Sequence, residues 1–266
     1  MIESMHPCRG RSGFGKRQGM KLPSSVLSAL LLPLIALVPS VRAVEPAPGQ
    51  QVERSLKVED GNEVPFLLYL PEDYATREGG SPLMLFLHGR GESYGPLSLV
   101  KQWGPPRLVD QGEKLPYVLV SPQCPKEGNW SDETRQAGLV QLLNHIEKTY
   151  RVDKQRVYLT GLSMGGYGTW RLAADEPKRF AAAAPVCGGG NPEDAGKLKN
   201  LPIWVFHGTE DKAVPLERST QMVDAIRAAG GTKIRFTTLE HIGHNSWSAT
   251  YATPELYQWF DQHVKE

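Results

Sequence analysis

Short apolar runs closed by glycine or proline punctuate this chain. PLMLFLHG, YVLVSP, RVYLTG, FAAAAPV and LPIWVFHG are each a few apolar residues ending at a turn signal. Strands covered on both faces read this way, because every side chain meets a packed layer. Ahead of them, VERSLKVE and VPFLLYLP alternate or run apolar between turn residues and predict an antiparallel pair. Between the runs the period lengthens. DETRQAGLVQLLNHIEKTY sets Leu139, Leu142, Leu143 and Ile146 along one helical face. EDKAVPLERSTQMVDAIRAAGG is amphipathic after Pro215 and stops at paired glycines, and TPELYQWFDQHVKE carries Pro254 in its first turn. Strand and helix patterns alternate from Pro82 onward, which predicts an α/β fold with a doubly wound, mostly parallel sheet.

The start of the chain has a different pattern. Lys21 leads into LPSSVLSALLLPLIALVPS and then Val41-Arg42-Ala43, the layout of a secretory signal peptide over residues 1–43. Pro33 and Pro39 interrupt a segment that would need ~20 unbroken apolar residues to serve as an anchor. The apolar segment sits far from Met1, so Met20 is a candidate start. Residues 44–266 are then expected to form one catalytic domain, secreted or periplasmic, with no stable membrane insertion after cleavage. The formal net charge of +1 hides an imbalance, since Arg9, Arg11, Lys16, Arg17, Lys21 and Arg42 face only Glu3 in the leader. The remainder is mildly acidic, which gives no footprint for nucleic acid. Export would remove Cys8 and leave Cys124 and Cys187, each following a predicted strand at the same sheet edge. A disulfide between them is expected in an oxidising compartment.

RVYLTGLSMGGYGTWRLA carries the chemistry. A strand runs into Gly161-Leu162-Ser163-Met164-Gly165 and a helical pattern follows, so G-x-S-x-G stands at the sharp turn that exposes a nucleophilic serine. Serine needs a base to take its proton, and the base needs an acid to orient it. Glu210 and Asp211 follow a predicted strand downstream, and His241 and His244 lie in a later loop before the last helix. Gly243 lets the loop turn His244 inward, which favours it as the base. His88 and His207 sit in His-Gly pairs at strand ends and are expected to hold loops. The oxyanion donors are expected at the backbone N–H of Met164 and of Arg90, in the loop LHGRGES. No His, Cys and carboxylate grouping has metal-ligand spacing, so no metal and no cofactor is expected.

LFLHGRGES, SPQCPKEGNW, GLSMGGYGTW, GTEDKAVP and GHNSW resemble the secreted esterase branch of the α/β-hydrolases, from about Leu67 to the C-terminus. That group includes feruloyl and acetyl-xylan esterases, polyester depolymerase-like enzymes and peptidases. The resemblance implies that Asp211, in G-x-x-D-x-x-V-P, is the acid, with Glu210 a solvated neighbour. It also implies hydrolysis of carboxylic esters through an acyl-enzyme, on carbohydrate-linked or small aromatic and acetyl substrates. The connection CGGGNPEDAGKLKN is too short for a lid, so an open site is expected. Trp130 and Trp247, in loops near the expected site, are candidate substrate contacts, as is the Arg90 side chain. Two other readings are a peptidase with the same triad and an inactive binding relative. The absence of a gating propeller from these residues tells against the first, and the intact Ser163, Asp211 and His244 tell against the second.

Overall fold

The computed structural model describes residues 46–265, which belong to one unit, Val44–Glu266. The expected leader, with Met20 and Cys8, lies outside the described residues. In chain order the elements are β1 (Gln51–Lys57), β2 (Glu63–Tyr69), β3 (Ser81–Leu87), α1 (Gly104–Asp110), β4 (Val118–Pro122), α2 (Glu133–Thr149), β5 (Val152–Leu162) and α3 (Met164–Asp175). They continue with β6 (Ala182–Val186), α4 (Ala195–Leu198), β7 (Ile203–Gly208), α5 (Glu217–Ala228), β8 (Ile234–Leu239), α6 (Trp247–Tyr251) and α7 (Pro254–Asp261). Among the described residues no helix is long and apolar enough to cross a membrane.

The eight strands form one sheet in the order β1-β2-β4-β3-β5-β6-β7-β8. β1 pairs antiparallel with β2, and β2 with β4; every later pairing is parallel. This is the predicted doubly wound sheet with its antiparallel lead-in. The added strand is β8, whose half-exposed residues gave no continuous apolar run because it lies at the edge.

Alternation along the central strands divides the core. Leu83, Leu85 and Leu87 of β3 join the layer of α2, α3 and α5, with Leu142, Trp170 and Met222. Met84 and Phe86 join the opposite layer, with Val109 of α1, Tyr251 of α6 and Phe260 of α7. That division explains why the expected disulfide is not formed. Cys124 and Cys187 are both free and buried. Cys124 packs in the first layer and Cys187 in the second, so the sheet itself separates two residues that share an edge in projection. A bridge requires Cα atoms within about 7 Å and converging side chains.

The connection from β6 to β7 holds only a 3₁₀ turn, Pro192–Asp194, and the four-residue α4. No cap is built over the C-terminal ends of the strands there, as the sequence led us to expect.

Candidate active site

Ser163 stands between the end of β5 and the start of α3, at φ 52° and ψ −115°. A non-glycine residue rarely adopts such a backbone, and here it is imposed by close packing on both sides. A Cβ on Gly165 would come 1.9 Å from Leu87 O, and one on Gly161 would come 2.4 Å from Gly165 O. The two glycines therefore let α3 leave the sheet directly against β3, which lifts the serine clear of the strand end.

Three side chains from different elements converge there. Ser163 Oγ lies 2.9 Å from His244 Nε2, and His244 Nδ1 lies 2.7 Å from Asp211 Oδ2. Asp211 follows β7, and its Oδ1 accepts the backbone N–H groups of Ala213 and Val214 at 2.9 Å each. Those two donors fix the carboxylate and aim Oδ2 at the imidazole. His244 lies in the loop between β8 and α6, about a quarter exposed, so the base faces both the buried acid and the open side. The neighbours offered as alternatives lie elsewhere. The His241 side chain is 88% exposed and its Nδ1 meets Glu210 Oε1 at 3.1 Å, a solvated pair outside the cluster.

The loop after β3 is held from beneath. His88 Nε2 accepts the Cys124 backbone N–H at 2.9 Å, which leaves Nδ1 to donate to Gly89 O. Burial pushes the His88 imidazole down to about 4, so it stays neutral. A Cβ on Gly89 would meet Leu162 Cδ1 at 2.7 Å and Ser163 Cβ at 3.7 Å, so the Gly89–Arg90 backbone runs against the serine. Met164 opens α3, where a first-turn N–H has no partner within the helix. The Arg90 side chain is exposed, and its Nη1 donates to Gly128 O at 2.6 Å.

Trp130 is a correction. It is 2% exposed in the α2/α3 layer, its Nε1 donates to His88 O at 3.0 Å, and its ring meets the His88 ring edge-on. It supports the loop and has no face left for substrate. Trp247 differs again: it opens α6 rather than lying in a loop. Its ring stands edge-on to His244, with centroids 5.1 Å apart, and packs against Trp103. Trp103, Arg107, Gln111, Trp247, Ser248 and Tyr251 line a cavity of about 310 Å³ beside the base. Trp103 was missed because the Trp-Gly-Pro-Pro segment has no helical period, although α1 begins there.

Cys187 was assigned to a disulfide, yet it belongs to the site. With Asp211 and His244 it forms, among the described residues, a trio of metal-ligand atom types within 4.8 Å of one another. Spacing along the chain conceals this trio. Its thiol is raised to about 12, chiefly by burial, so it stays protonated beside the carboxylate. Asp211 already has its oxygens directed to N–H donors, which suits an acid–base chain.

Comparisons with known proteins point to esterases of this fold. Residues 59–204 match the family described as "Putative esterase", and residues 191–266 match the prolyl oligopeptidase family. A bifunctional acetylxylan esterase/xylanase of Neocallimastix patriciarum is 31% identical over 54% of this chain and 21% of its own length. A poly(3-hydroxyoctanoate) depolymerase of Pseudomonas fluorescens is 28% identical over 59% of this chain and 61% of its own. The chain thus spans less than two thirds of each of these two relatives. A protein of Aspergillus niger named "Probable feruloyl esterase C" is 23% identical, covering 85% of this chain and 84% of its own. The crystal structure of a thermostable esterase superposes with a TM-score of 0.70 at 32% identity, covering 80% of this chain and 63% of the other. An acylaminoacyl peptidase of Pyrococcus horikoshii shares the fold, with a TM-score of 0.63 at 15% identity, 82% of this chain and 42% of the other being covered.

Proposed function

The chain belongs to this esterase family, with the α/β-hydrolase fold, and on that premise we propose that it is a serine carboxylic-ester hydrolase working through an acyl-enzyme. The unbroken contact chain Ser163–His244–Asp211 carries the reading. His244 Nε2 takes the proton of Ser163 Oγ as the oxygen attacks the ester carbonyl, and Asp211 orients the imidazolium that forms. The backbone N–H groups of Met164 and Arg90 receive the developing oxyanion. His244 then returns the proton to the departing alcohol, and water repeats the sequence to release the acid.

The proposed substrates are carbohydrate-linked or small aromatic and acetyl esters. Three observations support this: the short β6–β7 connection, the aromatic cavity beside His244, and relatives named for acetylxylan and feruloyl esters. Trp247 and Trp103 offer ring surfaces there, and the Arg107 guanidinium stacks on Trp103 at 5.3 Å. Residues 1–43 are proposed as an export signal that delivers residues 44–266 to the periplasm or the exterior. kcat/KM across acetyl, butyryl, feruloyl and palmitoyl esters tests the reading, with acetyl or feruloyl esters expected to lead. A palmitoyl preference would replace it with a lipase.

A peptidase is the second reading, favoured by the match of residues 191–266 to the prolyl oligopeptidase family. Comparison of a p-nitrophenyl ester with a peptide anilide separates the two. The esterase reading requires ester hydrolysis to exceed anilide hydrolysis.

A further inference from the structure

His207, at the end of β7, is buried and lies beside the same carboxylate oxygen of the proposed acid that meets His244. Its Nε2 lies 2.9 Å from Val214 O and 3.3 Å from Asp211 Oδ2, and both side chains of the pair are fully buried. A carbonyl only accepts, so Nε2 carries the proton and donates it to Val214 O, with the Asp211 carboxylate close beside that N–H edge of the ring. Asp211 Oδ2 is hydrogen-bonded to His244 Nδ1 at 2.7 Å and lies 3.3 Å from His207 Nε2, while Oδ1 takes two backbone amides.

The far side of the ring is also fixed. Ser219 Oγ of α5 lies 2.7 Å from His207 Nδ1 and 2.9 Å from Gly188 O. Gly188 lies so close to α3 that a Cβ on it would come 2.5 Å from Gly166 C. The ring is thus anchored to α5 and, through Gly188, to the helix that presents Ser163.

We infer that His207 is a positioning residue for the reaction: it packs against the Asp211 carboxylate and holds it in the rotamer that orients His244. The inference rests on the proposed roles of Ser163, His244 and Asp211. A loop-holding histidine, the sequence expectation, would need only the Val214 and Ser219 bonds.

The test compares His207→Phe, His207→Gln and His207→Asn on a chromogenic acetyl ester, alone and with Asp211→Asn. His207→Gln keeps an N–H near the place of Nε2, and His207→Asn keeps one near the place of Nδ1. Loss of Nε2–H is expected to lower kcat on the order of tenfold to a hundredfold, with KM within twofold. His207→Gln should be more active than His207→Asn and should retain the low-field NMR proton of the His244–Asp211 bond, which His207→Phe should lose. On the Asp211→Asn background the change at His207 should cost nothing further, because it acts through that carboxylate. An equal loss on both backgrounds, or His207→Asn outperforming His207→Gln, overturns the inference, and the second comparison stands even if His207→Phe does not fold. Full activity of Asp211→Asn alone would instead overturn the triad reading beneath it.

Discussion

At the scale of single residues, the serine was legible because its motif is local: two glycines, a strand before and a helix after. Ser163→Ala is expected to abolish ester hydrolysis, by about 10⁶-fold in kcat, with the melting temperature retained. Turnover within tenfold of the parent in a clean folded preparation would contradict that role. The acid and base were favoured from sequence within pairs of near neighbours: Glu210 and Asp211 are adjacent in the chain, while the fold exposes one and buries the other. His244→Ala and Asp211→Asn are each expected to be severe. His241→Ala and Glu210→Gln are expected to stay near parental activity, because that exposed pair touches nothing in the site. Kinetics of the four variants decide it, and a reversed order within either pair would exchange the assignment. Trp130 was misread for a physical reason. A tryptophan in a loop beside a site can equally fill the space under it, and the glycine opposite, Gly168, leaves room for its ring.

Among the elements, central strands showed themselves through unbroken apolar runs. β8 did not, because an edge strand is wetted on one side, and α6, five residues long, has too little length for a period. The β3 end is where an element meets titration. His88 is held neutral at about 4 against its usual value near 6.5, so below pH 6.5 the unfolded chain binds a proton that the folded chain refuses. Its contribution to stability is complete above pH 6.5 and is lost as the pH falls toward 4, about 3 kcal/mol in all. Neighbouring Glu92, raised by burial, works in the opposite direction: its contribution fades as the pH rises. Denaturant titrations from pH 7 to pH 4 are therefore expected to show a shallower loss in His88→Gln than in the parent. An unchanged slope would mean that His88 is protonated in the folded protein.

For the whole molecule, layer order and sheet type were readable, but the side of the sheet on which a loop residue packs was not. Period-2 alternation assigns faces within strands and stops at their ends, where Cys124 and Cys187 lie. The short β6–β7 connection also bears on behaviour at surfaces. Activity toward butyryl esters is expected to change less than twofold when the substrate passes its solubility limit, because the β6–β7 connection builds no cap that would have to open. A sharp rise at that point would reveal a lid formed by other residues.

The two thiols divided by the sheet make each core layer separately observable. Only a thiolate attacks a disulfide reagent, and burial lifts Cys124 to about 11 and Cys187 to about 12, so neither reacts until its layer opens. With Cys8 replaced by serine, Cys124→Ala and Cys187→Ala leave one reporter each, and labelling under native conditions then times the opening of one layer. β3 supplies Leu83 and Leu85 to one layer and Met84 and Phe86 to the other, so neither can loosen without disturbing the strand they share. Matching labelling rates are expected, the signature of a molecule whose two layers are a single cooperative unit. Unequal rates would mean that the layer around the triad opens by itself.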